Sequence, residues 1–128
     1  MRILLDTHSF LWWLDGDRRM SKRARALVSR DANEVFISAA SAWEIATKWR
    51  LGKLSGAAEV AADIAGAVAS QAFQPLSITL THAQLAGRLT TNHRDPFDRM
   101  LAAQAMIEGL PIVSNDEALD LFGISRLW

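Results

Sequence analysis

None of the 128 residues is cysteine. That absence removes disulfides, thiolate zinc centres and a cysteine nucleophile together, and leaves oxygen and imidazole as the only metal donors. Long apolar runs are missing too, since no stretch approaches the roughly 18 apolar residues of a membrane span. The segment MRILLDTHSFLWWLDGD is interrupted by Asp6 and His8 and has neither a signal-type apolar core nor a small-residue cleavage site. A cytoplasmic protein is expected. Net charge is lacking as well: fourteen Lys and Arg balance fourteen Asp and Glu, which argues against a protein that grips nucleic acid with its whole surface by counterion release. There is no internal repeat, low-complexity tract or linker.

What is present is ordinary globular material. Half the residues are apolar and 22% are charged, and the length suits one domain spanning 1–128. The charge is unevenly placed. Arg18, Arg19, Lys22, Arg23 and Arg25 fall close together, and Lys48, Arg50 and Lys53 form a second group. Such runs are usually solvated helix faces, with a contact for phosphates as the second reading.

Apolar Ile3 to Leu5, ending at Asp6, suits a strand covered on both faces. Phe10 to Leu14 and Met20 to Ser29 have helical spacing, the latter with Ser21 as cap. Glu34 to Ile37 is a second strand, followed by a helix opened by Ser38 or Ser41 and stopped near Gly52. The alanine-rich stretch Ala57 to Ala72 predicts one packing helix. Pro75 to Ile78 suits a third strand and Thr81 a cap for a helix to Leu89. Asp95 before Pro96 reads as N-cap and N1 of a helix to Glu108, stopped by Gly109. Strand Leu110 to Ser114, a short helix Glu117 to Leu121 and strand Gly123 to Leu127 complete an α/β pattern with a mainly parallel sheet.

In open parallel sheets ligands bind beyond the carboxyl ends of strands, so strand-terminating residues carry the search for a site. Asp6 ends the first strand and Asp116 follows the fourth, while Asp95 and Asp98 open a helix whose edge the sequence leaves open. Each acid has a structural reading. Asp95 and Asp116 suit helix caps, and Asp98 at N3 suits the helix dipole. Glu44 stands four residues before Lys48, the spacing of an exposed ion pair. A lone Asp6 after a buried strand gains little structurally. Carboxylates gathered in one pocket need protons or a divalent cation between them, and all-oxygen ligation suits Mg²⁺ or Mn²⁺.

The segments LLDTH (Leu4 to His8), SAWEIATKWRLGKL (Ser41 to Leu54), HRDPFDRMLAAQA (His93 to Ala105) and SNDEAL (Ser114 to Leu119) together resemble the PIN-domain ribonucleases, and within them the VapC-like toxins of toxin–antitoxin pairs. The resemblance covers the whole chain. It implies a three-layer α/β/α sandwich and an acidic quartet of Asp6, Glu44, Asp98 and Asp116, in which Asp6, Asp98 and Asp116 hold Mg²⁺ or Mn²⁺. Glu44 then holds a second ion or positions the attacking water, and the two roles stay open. Asp95, Thr7, Ser114 and Asn115 have supporting places. Implied partners are an RNA substrate, a small antitoxin that lays a helix or tail in an apolar groove, and a second copy of the chain. Arg23, Arg25 and Arg99 are candidates for guiding the RNA backbone. The five tryptophans are expected to pack in a core or at an interface.

Two rivals stand beside this reading. A HAD-like phosphatase would use Asp6 as a phosphorylated nucleophile, but it usually has a second Asp where this chain has His8. A non-catalytic binding module would use the acids as caps alone. The histidines lack the H-E-x-x-H spacing of a zinc hydrolase.

Overall fold

A computed structural model describes all residues, Met1–Trp128. Five strands, β1 (Arg2–Leu5), β2 (Glu34–Ser38), β3 (Gln74–Leu76), β4 (Ile112–Val113) and β5 (Arg126–Leu127), form one sheet in the order β3-β2-β1-β4-β5. Every pairing is parallel. Between the strands run α1 (Thr7–Asp15), α2 (Lys22–Ser29), α3 (Ala39–Arg50), α4 (Ala58–Ala62), α5 (Ile64–Ser70), α6 (Leu80–Arg88) and α7 (Pro96–Glu108), and a short 3-10 helix covers Glu117–Phe122.

Strand alternation builds the three layers. On β1, Ile3 and Leu5 join one core with Phe10, Ala24, Val35, Ile37 and Val68, whereas Leu4 turns to the other with Leu101, Ala105, Ile112 and Leu119. Each such buried side chain contributes roughly 1.5–3 kcal/mol of apolar transfer. Both faces of the sheet are therefore covered, which is why its strands read as continuous apolar runs. No helix is long and apolar enough to cross a membrane.

Several boundaries differ from the sequence expectation for local reasons. The alanine-rich helix is broken at Asp63, whose backbone leaves the helical region (φ −152°, ψ 79°) and whose Oδ1 accepts from Gly66 N at 2.9 Å. A short acidic side chain here competes for a backbone N–H and starts a new helix. Asp63→Ala is expected to lower stability by about 1 kcal/mol; an unchanged thermal midpoint would show the cap to be inert. Helix α6 is capped by Thr79, not Thr81, because Thr79 Oγ1 accepts from His82 N and the His82 Nδ1 at N3 accepts from Thr79 N, which completes a reciprocal box. Helix α1 starts at Thr7, ahead of Phe10. The last strand is confined to Arg126–Leu127, as Gly123 adopts a left-handed conformation to close the 3-10 helix.

Candidate active site

Strand order places β1 between β2 and β4, so the direction of strand addition reverses between β1 and β4. The crevice beyond the carboxyl ends at such a switch point is where open parallel sheets bind ligands. Asp6 follows β1 directly, and Ser114 to Asp116 follow β4. Glu44 arrives from the second turn of α3, which begins where β2 ends. Helix α7 stops three residues before β4, at the opposite edge, so its first turn carries Asp95 and Asp98 to the carboxyl edge. All five acids line one cleft of about 660 Å³, which Glu117 also borders. Trp43 on α3 meets Phe97 on α7 edge to face, with centroids 4.8 Å apart, and fixes the helix bearing Glu44 against the helix bearing Asp98.

The family model of the PIN domain matches residues 3–124. The chain belongs to the PIN domain family. No curated protein matches it. Among solved structures, the PIN fold here resembles VapBC2 from Rickettsia felis bound to a promoter DNA fragment, with 13% identity and a TM-score of 0.72 over 99% of this chain and 98% of that one. FitAcB from Neisseria gonorrhoeae aligns at 16% identity and a TM-score of 0.60 over 100% and 97% of the two chains. At these identities the likeness is one of fold.

Hydrogen bonds tie the acids of the PIN cleft to its scaffold. Asp6 Oδ1 accepts from Ser9 N at 2.9 Å and Oδ2 from Ser114 Oγ at 2.5 Å. Ser114 Oγ in turn accepts from Asp116 N at 3.0 Å, so one buried hydroxyl couples the ends of β1 and β4. Asp116 Oδ1 accepts from Ala118 N, and Asp95 Oδ1 from Phe97 N and Asp98 N. Asp6 thus caps α1 as Asp95 caps α7, correcting the expectation that it gains little structurally. The buried Thr7 hydroxyl donates to Ser41 Oγ at 3.0 Å and joins α1 to α3. Asn115 is exposed at the rim.

Asp98 is not a cap. Its Oδ2 meets His93 Nε2 at 2.8 Å, and the His93 ring packs edge-on against Phe122. Burial pushes its carboxyl up to about 6; the His93 hydrogen bond opposes that, and the like charges of Asp95 and Asp116 add to it. Asp6 is also raised, by burial above all, against the bonds from Ser114 and Ser9. Glu44 does pair with Lys48, but the pair is not a surface one: Glu44 is 4% exposed. The i,i+4 spacing was legible in sequence and the burial was not.

Six carboxyl groups border the cleft against two fixed cations, Arg19 and Lys48. No three of its acidic or imidazole side chains are drawn tightly around a single point. The donor set is nonetheless all oxygen and rich in carboxylate, which fits a hard divalent ion that takes one or two protein ligands and keeps several waters.

The basic candidates fare differently. Arg99 does not present its guanidinium to the cleft: its five N–H groups bond the main-chain oxygens of Ala86, Leu89, Thr91 and His93. Arg25 donates to Asp17 O at 2.8 Å, and Arg23 is exposed on α2; neither lines the cleft. The cations that do, Arg19 and Lys48, were present in the basic groups without being singled out. Of the tryptophans, Trp12 is buried against Trp128, whereas Trp43 and Trp49 are 58% and 42% exposed, so the core half of the expectation does not hold for those two.

Proposed function

We propose that this PIN domain is a cytoplasmic, Mg²⁺- or Mn²⁺-dependent endoribonuclease and the toxin of a toxin–antitoxin pair. The observation that carries the reading is the meeting of Asp6, Glu44, Asp98 and Asp116 in one cleft at the sheet's switch point. PIN domains are generally nucleases, and the solved structures that share this fold include toxin–antitoxin complexes.

Asp6, Asp98 and Asp116 would hold the ion, which when bound polarises phosphoryl oxygens and lowers the pKa of water. The chain's own residues do the rest. Asp98 must give up its proton to serve, and His93 Nε2 holds its carboxylate in place. Ser114 fixes Asp6 through its hydroxyl and Asp116 through its main-chain amide. Glu44, beside Lys48, is placed to orient water or to bind a second ion. A cleft with this excess of carboxylates repels a phosphodiester until cation charge is added, so RNA binding there should depend on the divalent ion. An apolar hollow of about 290 Å³ between α3, α5 and β3, walled by Ala42, Ile64, Val68 and Phe73, offers a seat for an antitoxin segment or a second copy.

Incubating total RNA with the protein and Mg²⁺, and sequencing the fragment ends, tests the proposal. Defined ends are expected that vanish with chelator and in Asp6→Asn. The same ends from Asp6→Asn, or cleavage indifferent to chelator, would end it.

A further inference from the structure

A second, smaller pocket of about 210 Å³ opens beside the acidic cleft and shares His8, Trp12 and Arg19 with it. Drug-sized ligands fill about 300–1,000 Å³, so this space suits a single ring system. Arg19 stands at the junction and is held in an unusual way for an exposed arginine. Its guanidinium lies over the Trp12 ring, 5.0 Å from the centroid. A fork to Asp17 fixes its plane, with Nε to Oδ1 at 3.1 Å and Nη2 to Oδ2 at 2.7 Å. That bond holds the Asp17 carboxyl down at about 2, so the pair is ionised at neutral pH.

The Arg19 side chain is nevertheless 68% exposed, although it lies over the indole. Surface ion pairs contribute little to stability, so stability does not account for an arginine immobilised on two sides. Immobilising it in advance does lower the cost of binding something flat. The surrounding walls supply polar handles: Lys53, Ser55 and the Asp15 carboxylate. The exposed His8 ring adds a second plane, 5.8 Å from Trp12.

We propose that this pocket takes the base of a nucleotide next to the scissile phosphate, stacked on the Arg19 guanidinium, with the polar walls reading its edge. Single-stranded RNA is recognised in this manner, by stacking on guanidinium and aromatic planes and by hydrogen bonds to base edges. The proposal rests on the cleft being an RNA-cleaving site.

The test uses the full wild-type chain with Ca²⁺ in place of Mg²⁺, so that the cleft keeps a hard cation on all its carboxylates, and single-stranded RNA hexamers of A, C, G or U shown to be uncut after the run, with binding read by fluorescence anisotropy at fixed salt. Dissociation constants should differ by about 5-fold or more among the four hexamers. Adding Arg19→Ala should weaken the tightest by about 10-fold and narrow the spread. Arg19→Lys should retain the salt dependence and still lose the discrimination, because an ammonium offers no plane. Equal affinity for all four hexamers would overturn the proposal, as would a uniform loss in Arg19→Ala, which marks a phosphate contact only. Loss of a copurifying protein from Arg19→Ala with RNA binding intact would assign the pocket to a protein instead. Base preference abolished by Arg19→Ala alongside an inert wild-type enzyme would sink the nuclease reading alone; cleavage with its sequence preference unchanged in Arg19→Ala would sink the pocket alone.

Discussion

Asp98→Asn is expected to reduce RNA cleavage by at least about 10²-fold, a loss of about 2.7 kcal/mol of transition-state stabilisation, and at the same time to make the metal-free protein more stable above pH 6. The second effect follows from the sign of the shift. Burial and the neighbouring Asp95 and Asp116 raise the Asp98 carboxyl to about 6 in the fold, so the native state holds its proton more tightly than the unfolded chain. Stability contributed by the protonated form is complete below about pH 4 and is lost as pH rises through 6, with Asp6 acting in the same direction. For a partly exposed group the loss is about 2 kcal/mol. Asparagine removes the charge and keeps an oxygen for His93, so the decline between pH 4 and 6 should flatten in thermal melts.

Divalent ion should reverse the wild-type penalty. At a concentration of about 100 times the dissociation constant it adds about 2.7 kcal/mol, or roughly 10 °C in thermal midpoint. Asp98→Asn should lose most of that rise. A variant that still cleaves, or that melts like wild type at every pH with and without Mg²⁺, would show that the charged carboxylate has no part in the cleft.

Arg99→Ala should have the largest effect on folding of any change outside the apolar core. Its guanidinium gathers the carbonyls of Ala86, Leu89, Thr91 and His93, and so binds the end of α6 and the following loop to the first turn of α7. Hydrogen bonds from a charged donor are individually worth about 1.5–3 kcal/mol and are not additive, which puts the loss at about 2–4 kcal/mol. Arg99→Lys should recover little, since one ammonium cannot span four acceptors. Activity should fall too, because the same loop carries His93 and leads into Asp95 and Asp98. Had Arg99 served RNA directly, its removal would flatten the salt dependence of binding and leave the melting midpoint unmoved.

These residues also show what a sequence can and cannot disclose. The strand–helix alternation, the Asp95-Pro96 cap and the acids at strand ends rest on local signals, and the family segments supplied the order in which they assemble. Glu44 was opaque because its bond to Lys48 is identical in pattern to an exposed pair; only the tertiary packing around α3 buries it. Arg99 was misjudged because its acceptors are main-chain carbonyls, which every residue possesses and no motif announces. Asp63 was missed because the eight alanines among the sixteen residues from Ala57 to Ala72 outweigh one polar side chain in any windowed reading, whereas a single cap decides where the helix breaks. The role of Arg19 required seeing Trp12 beneath it and Asp17 beside it.

Asp6, Asp95 and Asp116 each do two jobs, offering charge to the cleft while accepting from the opening turn of a helix. Asparagine can perform the second duty and not the first. A lineage could therefore silence this protein through a one-atom exchange and inherit an intact mould of it, free to occupy the same partners without cutting anything, whereas truncation at those positions would damage the mould along with the blade.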